Sequence, residues 1–265
     1  MHRGVRQGSK EGPAIFNLVF QSILKHTIDK TLKRITLKDQ HNRNWTIKHL
    51  EYADDLCLIT NTTEEATKAL NHLQKYLTNI GMEISISKTK VMIINKKDNI
   101  AAVKIDNKEI EEVETFHYLG STINNKGTPD SAIAHNIEKA KSAVIKIRPI
   151  LKCKELSLGT KIKLVDSSII PILTYGLESI VLRKQDWTRI ETVLNTIRRM
   201  ILGINDRKRL NVQQLKLKVN LPNLANKIMQ NRLNLWYTAH KRPNNLMVRS
   251  LNSEFDNPCN NRKAY

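Results

Sequence analysis

The chain has 265 residues, enough for one large domain or two small ones, and 44 Lys and Arg against 25 Asp and Glu give it a formal net charge of +19. This excess predicts a polyanionic partner, most simply a nucleic acid. Its apolar runs are too short to span a membrane, and Cys57, Cys153 and Cys259 are too far apart for a zinc site or a disulfide framework. We therefore expect an intracellular protein, nuclear or cytoplasmic, with no membrane partner.

The first predicted element is a helix over residues 13–34, because apolar side chains recur there at helical spacing. Pro13 suits the first turn of this helix, where a missing N–H costs nothing. Strands are predicted over residues 35–60, with a polar loop over residues 38–44. The residues expected on the buried face of the helix are Phe16, Val19, Phe20, Ile23, Leu24 and Ile28.

Within the predicted strands, Tyr52-Ala53-Asp54-Asp55 lies between two apolar, partly β-branched runs, as expected for the turn of a hairpin. Adjacent carboxylates repel each other unless a cation lies between them. Mg²⁺ prefers oxygen ligands and leaves room for substrate phosphates, and a pair of such ions can stabilise both oxygens of a phosphoryl transfer. The alternative is a turn without chemistry, since turns favour Asp.

A capping box at Thr62–Glu65 predicts the start of the next helix, and Gly81 is expected just beyond its end. Short strands are predicted after it over residues 84–86, 91–94, 103–105 and 116–119, with a turn at residues 106–108. The apolar face of the helix is expected to comprise Ala66, Ala69, Leu70, Leu73, Leu77 and Ile80.

Past residue 125 the pattern changes to that of helices. Thr128 is expected to cap the first of them, with Pro129 at its first position. Ser157 is expected to cap the second, which ends or bends at Pro171. A third apolar stripe, over residues 187–201, stops at Gly203.

A fourth helix is predicted over residues 223–241, and the sequence after Pro243 is rich in Asn and poor in apolar residues. The predicted fold class is therefore α+β. Residues 1–125 are expected to form antiparallel strands with packed helices, residues 126–242 an all-helical region, and residues 243–265 a flexible C-terminal tail.

Basic residues are concentrated in the predicted helical region. Such clusters can hold a nucleic acid by its phosphates without reading its sequence. The alternative is a solvated helix face, which is the simpler interpretation for any single lysine. The candidate backbone-binding residues are Lys139, Lys141, Lys146, Arg148, Lys152 and Lys154.

Four segments in order carry a family resemblance. They are Arg3–Asn17 with its Gln-Gly pair, the Asp-Asp hairpin, the Gly81–Met92 segment, and Phe116–Ser121 with its Tyr-Leu-Gly sequence. Together they resemble the reverse transcriptases of LINE-type (non-LTR) retrotransposons, clearly up to about residue 122 and more weakly to about residue 240. The resemblance implies part of a right-hand polymerase palm followed by a helical thumb, and Mg²⁺ or Mn²⁺ as the metal.

The resemblance also implies roles for single residues. It implies that Asp54 and Asp55 are the catalytic, metal-binding carboxylates. It places other residues near the incoming nucleotide and template, namely Gln7, Gly8, Tyr52, Lys88 and Lys90. It assigns the primer-gripping hairpin to Tyr118, Leu119 and Gly120.

Two departures from the family pattern stand out. Gly12-Pro13 replaces the usual Ser-Pro, which changes little because Pro13 still suits a helix start. The family's first catalytic motif, with another metal-binding Asp, lies upstream of the Gln-Gly segment, and this chain begins just before that segment. We therefore expect the second half of a palm with the thumb, inactive by itself, with the missing upstream part of the same polyprotein as a possible partner.

The reaction implied is RNA-directed DNA synthesis, with an RNA template, a DNA primer and deoxynucleotide triphosphates. One alternative is a catalytically inactive, basic remnant that binds nucleic acid. A second alternative is another palm-like phosphotransferase, such as a nucleotide cyclase, and the Gln-Gly and Tyr-Leu-Gly segments count against it.

Overall fold

The computed structural model describes residues 8–33, 35–38, 44–96, 100–204 and 210–241. The chain divides into two compact units, the first ending at Glu114 and the second beginning at Thr115. Each unit has a buried apolar core of its own.

Three helices form the main core of the N-terminal unit: α1 (Gly12–His26), α2 (Ile28–Thr31) and α3 (Thr63–Asn79). The helix predicted over residues 13–34 is interrupted at Thr27, whose hydroxyl donates to the Ile23 carbonyl at 2.8 Å. Val19, predicted on the buried face, is 43% exposed, because it lies at the edge of the apolar stripe. The buried cluster comprises Phe20, Ile23, Leu24, Ile28, Leu32, Ala69, Leu73 and Leu77.

The start and end of α3 follow the local sequence signals. The Thr62 hydroxyl accepts from the Glu65 N–H at 3.2 Å, and the Glu65 carboxylate accepts from the N–H of Asn61 at 3.1 Å. Gly81 follows the helix with a φ of 79°, as a C′ glycine does. Ile80, predicted on the buried face, is 43% exposed, since it lies at the C-terminal end where the core stops.

The strands of the N-terminal unit form pairs. Three pairs are antiparallel: β1 (Ile35–Lys38) with β2 (Asn44–Ile47), β3 (His49–Tyr52) with β4 (Asp55–Leu58), and β6 (Lys104–Ile105) with β7 (Lys108–Glu109). The fourth pair, β5 (Lys90–Val91) with β8 (Glu111–Glu112), is parallel, which the prediction of antiparallel strands did not anticipate.

Two of the predicted strands are wrong or too long. The structure has no strand over residues 84–86, because the Ile84 N–H donates to the Gln74 side chain at 2.9 Å and the Ser85 carbonyl accepts from two N–H groups of the following turn. In place of the strand predicted over residues 91–94, the structure has the two-residue strand β5, which starts one residue earlier. The turn at Asp106 and Asn107 is confirmed, with φ values of 46° and 64° that suit a two-residue hairpin.

The C-terminal unit begins with the antiparallel hairpin of β9 (Thr115–Tyr118) and β10 (Ser121–Asn124). Its buried core is built largely from aliphatic side chains of the helices that follow. The helices are α4 (Asp130–Lys152), α5 (Leu158–Ser168), α6 (Ile170–Thr174), α7 (Lys184–Leu202), α8 (Val212–Lys218) and α9 (Leu224–His240), with a 3₁₀ turn at Leu177–Ser179.

Most helix ends of this unit agree with the sequence signals. Ser157 accepts from the Thr160 N–H at 3.1 Å, and Gly203 closes α7 with a φ of 62°. The cap predicted at Thr128 is wrong. The helix starts one residue later with Pro129 as N-cap, because the Thr128 carbonyl and hydroxyl accept instead from the side-chain amide of Asn124.

The division between compact units at residue 115 lies ten residues before the domain boundary near residue 125 that the sequence predicts. The reason is that the β9–β10 hairpin packs on α4. The hairpin expected to grip the primer therefore folds with the helical region.

Candidate active site and nucleic-acid surface

The Asp-Asp hairpin has the geometry that the sequence predicts. Tyr52 pairs with Asp55 across β3 and β4, so Ala53 and Asp54 form a two-residue turn. Ala53 has a φ of 55°, a left-handed conformation that costs a residue with a Cβ about 1–2 kcal/mol. Asp54 and Asp55 are both exposed at the tip of the hairpin, where a solvated cation can reach them.

A cleft of about 440 Å³ lies beside this hairpin. On one side it is lined by Asn17, Phe20 and Gln21 of α1, and on the other by residues 51–53. The Gln21 side-chain amide donates to the Glu51 carboxylate at 3.3 Å. The cleft therefore lies between the carboxylate hairpin and α1, the helix that follows the Gln-Gly segment.

The donor chemistry at the hairpin tip suits a hard divalent cation such as Mg²⁺, because Asp54 and Asp55 offer oxygen ligands. Two carboxylates are too few ligands for a complete metal site. Among the residues that the structure describes, no three His, Cys, Asp or Glu side chains lie together as a metal-binding group. The pair can thus supply part of a metal site, to be completed by further carboxylate or phosphate oxygens.

Glu51 and Gln21 are site residues that the sequence did not single out. Glu51 also lies 4.0 Å from the His49 ring, whose other nitrogen, Nδ1, is buried without a hydrogen-bond partner in the described structure. Glu51 directly precedes Tyr52, so its closeness to the turn could have been read from the sequence. Its pairing with Gln21, 30 residues earlier, left no local signal.

The residues assigned to nucleotide and template differ in their surroundings. Gly8 has a φ of 83° and open space where a side chain would lie, so its backbone conformation, not crowding, favours glycine. Gln7 lies outside the described residues. Tyr52 is 65% exposed beside the two carboxylates.

Lys88 and Lys90 are not equivalent. Lys88 is exposed in the turn after residue 85, whereas Lys90 is half-buried on β5 and forms an ion pair with Glu111 on β8. An ion pair lowers the positive charge that Lys90 can offer to a ligand. Of the two, Lys88 is better placed to approach a phosphate.

The assigned primer-gripping residues form the end of the β9–β10 hairpin. Tyr118 pairs with Ser121, and the turn between them consists of Leu119 and Gly120, with φ values of 49° and 79°. Two successive left-handed residues match the twist of a tight hairpin. Tyr175, which the sequence did not indicate, donates its hydroxyl to the Leu119 carbonyl at 2.6 Å.

The basic residues of α4 lie on two different sides of the helix. Lys139 and Lys146 are nearly two turns apart and share one side. Lys141, Arg148 and Lys152 share another, roughly half a turn around the helix. All five are exposed or half-buried, and Lys154 lies just beyond the helix end.

The two sides of α4 have different neighbours. His135 lies one turn before Lys139 on the same side, and its ring centroid is 5.0 Å from that of His117 on β9. On the other side, Lys141 forms an ion pair with Glu138 at 2.7 Å. The side with Lys139 and Lys146 therefore continues onto the β9–β10 hairpin.

The N-terminal part of the chain is similar to a known protein family. The family model described as "Reverse transcriptase (RNA-dependent DNA polymerase)" matches residues 1–123. The chain is 27% identical over 169 residues to an uncharacterized transposon-derived protein of Caenorhabditis elegans, covering 62% of this chain and 59% of the relative.

Two further relatives are mobile-element proteins. The RNA-directed DNA polymerase from the mobile element jockey of Drosophila melanogaster is 25% identical over 183 residues, covering 66% of this chain and 19% of the relative. A retrovirus-related Pol polyprotein from a type-1 retrotransposable element R1 of Nasonia vitripennis is 29% identical over 139 residues, covering 47% of this chain and 36% of the relative. The matches thus span less than two thirds of the length of each relative. No helix in the described ranges is long and apolar enough to cross a bilayer.

Proposed function

We propose that the chain serves RNA-directed DNA synthesis, because residues 1–123 match the reverse transcriptase family and the chain's relatives include a polymerase of a mobile element and a Pol polyprotein of a retrotransposable element. The observation that carries the proposal is the Asp-Asp hairpin, whose two exposed carboxylates lie beside the α1 cleft. In this proposal the N-terminal unit contributes palm elements and the helices after residue 130 form the thumb.

The reaction is the attack of a primer 3′-hydroxyl on the α-phosphate of a deoxynucleotide, with pyrophosphate as leaving group. Asp54 and Asp55 would hold the divalent ions, together with a further carboxylate. The chemistry that such ions would supply is a lower pKa of the primer hydroxyl and neutralisation of charge on the phosphates. Within this chain, the exposed ring of Tyr52 offers a stacking face next to the carboxylates, and Lys88 offers a cation to the triphosphate.

The C-terminal unit would hold the primer and template. The turn at Leu119 and Gly120 would contact the primer strand, and basic side chains on the surface of α4 would contact phosphates. Contacts of this kind position a duplex without reading its sequence. An RNA template and a DNA primer are therefore the proposed partners.

A second candidate function is nucleic-acid binding without catalysis. It is favoured by one observation: among the described residues, no three His, Cys, Asp or Glu side chains form a metal-binding group at the hairpin. Two carboxylates alone hold metal ions loosely. Because a small misplacement of the reacting groups greatly lowers the reaction rate, such a site would be a poor catalyst. The basic surface of α4 does not depend on the metal and would remain.

One experiment separates these candidates. The purified chain and its Asp54→Asn variant are mixed with a primed RNA template, Mg²⁺ and all four deoxynucleotides, and primer extension is measured beside equilibrium binding. Extension that Asp54→Asn lowers roughly 100-fold or more supports the polymerase. Salt-dependent binding without extension, equal in both proteins, supports the binding function if extension is still absent when the upstream part of the polyprotein, with its further carboxylate, is supplied. Failure to bind the primed template at low salt would contradict both.

A further inference from the structure

The tight turn of the β9–β10 hairpin is held from a distant part of the chain. The hydroxyl of Tyr175, which follows α6, donates to the carbonyl of Leu119 at 2.6 Å. A Cβ added to Gly120 would lie 3.4 Å from the Tyr175 ring, so the ring covers the turn closely. Tyr175 and Leu119 are 56 positions apart in the chain, so this is a tertiary contact between the helical region and the hairpin.

Tyr175 is itself fixed by a buried amide of α4. Asn136 is 5% exposed, and its Nδ2 donates to the Tyr175 carbonyl at 2.8 Å and to the Leu173 carbonyl at 3.4 Å. Gly176 then turns the chain with a φ of 70°, and a Cβ there would lie 3.5 Å from the Ser121 hydroxyl. Asn136, Tyr175 and the hairpin turn thus form one chain of contacts.

Filling the core does not account for this arrangement, because Tyr175 is 53% exposed. Water could solvate both its hydroxyl and the Leu119 carbonyl. The hydrogen bond from Tyr175 fixes the direction of the Leu119 carbonyl, and the tyrosine ring covers Gly120. A hydrogen bond between partly exposed groups adds little net stability, so its main effect is on local geometry.

We propose that Tyr175 is a positioning residue for the primer: it fixes the Leu119–Gly120 turn in the orientation in which the hairpin meets the primer strand. This inference rests on the proposed function, in which that turn contacts the primer. Tyr175 itself need not touch the nucleic acid. Loss of its hydroxyl would loosen the turn while leaving the α4 phosphate contacts in place.

The test compares the wild-type chain with Tyr175→Phe, and uses Ser179→Ala as a matched control. Ser179 lies in the same connection and donates to the Gly176 carbonyl at 3.0 Å, so its loss removes a similar bond without touching the turn. The first measurement is hydrogen–deuterium exchange of peptides covering residues 116–123. The second is the yield of photocrosslinking from a 4-thiothymidine at the primer 3′ end, in a primed RNA template bound at saturation.

We expect Tyr175→Phe to speed exchange in the turn and to lower the crosslinking yield by roughly 2- to 10-fold, the range of one net hydrogen bond. Ser179→Ala should match wild type in both measurements. Gly120→Ala serves as a second variant, because the φ of 79° at this position strains a residue that has a Cβ; its crosslinking yield should fall as well.

The outcomes separate the inference from the proposed function. If wild type crosslinks at the primer end and Tyr175→Phe does so equally, the positioning role is overturned while the primer-gripping hairpin stands. If wild type binds the duplex but never crosslinks to the hairpin, the primer-gripping role fails and the inference fails with it. Slower folding or a lower melting temperature with unchanged exchange and yield would indicate a purely structural tyrosine and also overturn the inference.

Discussion

Gln21 on α1 donates a hydrogen bond of 3.3 Å to Glu51 on β3, two residues before the Ala53–Asp54 turn. This contact connects the helix after the Gln-Gly segment to the carboxylate hairpin within the N-terminal unit. Such a hairpin has little stability by itself, since an isolated two-stranded ribbon is marginal in water. Its position therefore depends on α1.

The Gln21–Glu51 contact should appear as a measurable coupling. In a double-mutant cycle with Gln21→Ala and Glu51→Ala, we expect a coupling free energy of about 0.5 kcal/mol, near the low end for a hydrogen bond because both side chains meet solvent. Urea denaturation of the four proteins measures it. Strictly additive losses would show that α1 and the hairpin are held together by apolar packing alone.

Divalent cations should bind weakly to this chain and depend on the carboxylate pair. Asp54→Asn or Asp55→Asn should abolish Mn²⁺ binding measured by calorimetry, because each removes one of the few charged oxygens. Asp106→Asn is the matched control, since Asp106 is an exposed aspartate in another hairpin turn. Equal loss in the control would point to general charge attraction instead of a site.

The sequence predicted those features that local signals determine. The hydroxyl caps at Thr62 and Ser157 and the left-handed glycines after α3 and α7 each act within one helical turn, so they could be read directly. The Tyr52–Asp55 hairpin likewise follows from two flanking strands and a two-residue turn.

What the sequence could not predict depends on distant partners. Ile84 and Ile86 alternate as in a strand, yet the Gln74 side chain takes the backbone N–H that a sheet would need. The contact between Tyr175 and Leu119, and the parallel pairing of β5 with β8, join residues far apart in the chain. A single sequence carries no local record of such contacts.

His135 should make the stability of the C-terminal unit depend on pH. Burial, the positive charge of Lys139 and the nearby His117 lower the pKa of His135 below its ordinary value of about 6.5. The unfolded chain therefore binds the proton more readily than the folded chain. The contribution of His135 to the free energy of unfolding is greatest above its ordinary pKa, and it is lost as the pH falls from there through the lower pKa of the folded state. Denaturation at pH 7 and pH 5 tests this. His135→Gln should reduce the difference, and an unchanged difference would exclude His135 as its source.

Arg198 should be the most costly of the α7 basic residues to remove. The residue is only 4% exposed, and its guanidinium donates to Glu191 at 2.7 Å, to Asn195 at 2.8 Å and to the Val219 carbonyl at 3.2 Å. Arg198→Ala removes all three bonds, although Lys216 still pairs with Glu191 and the Leu221 N–H still donates to the Val219 carbonyl. The loss of the buried guanidinium should lower the free energy of unfolding by about 1–3 kcal/mol.

Lys184→Ala is the control for Arg198, because Lys184 is exposed on the same helix. Its effect should stay within about 0.5 kcal/mol. Chemical denaturation measures both variants. Similar small losses would mean that water replaces the guanidinium in the space between α7 and the end of α8.

The two sides of α4 should contribute unequally to nucleic-acid binding. Lys139 and Lys146 lie on the side that carries His135 and continues to His117 on the hairpin, whereas Lys141 lies on the other side and is partly neutralised by Glu138. A strand that contacts the hairpin turn can continue along the first side, but would have to cross the helix to reach the second. Lys139→Glu with Lys146→Glu should therefore weaken binding of an RNA–DNA duplex more than Lys141→Glu with Lys152→Glu, although the charge change is the same.

Fluorescence titrations at several salt concentrations distinguish this account from general attraction by a basic protein. Removing one phosphate contact lowers the slope of log affinity against log salt by about 1, so the first double variant should lower it by about 2 and the second by much less. The net charge of both variants is identical, and long-range attraction would weaken them equally. Equal slopes would thus show that α4 attracts the duplex without contacting it along one side, and a larger decrease in the second variant would move the contact surface to Lys141 and Lys152.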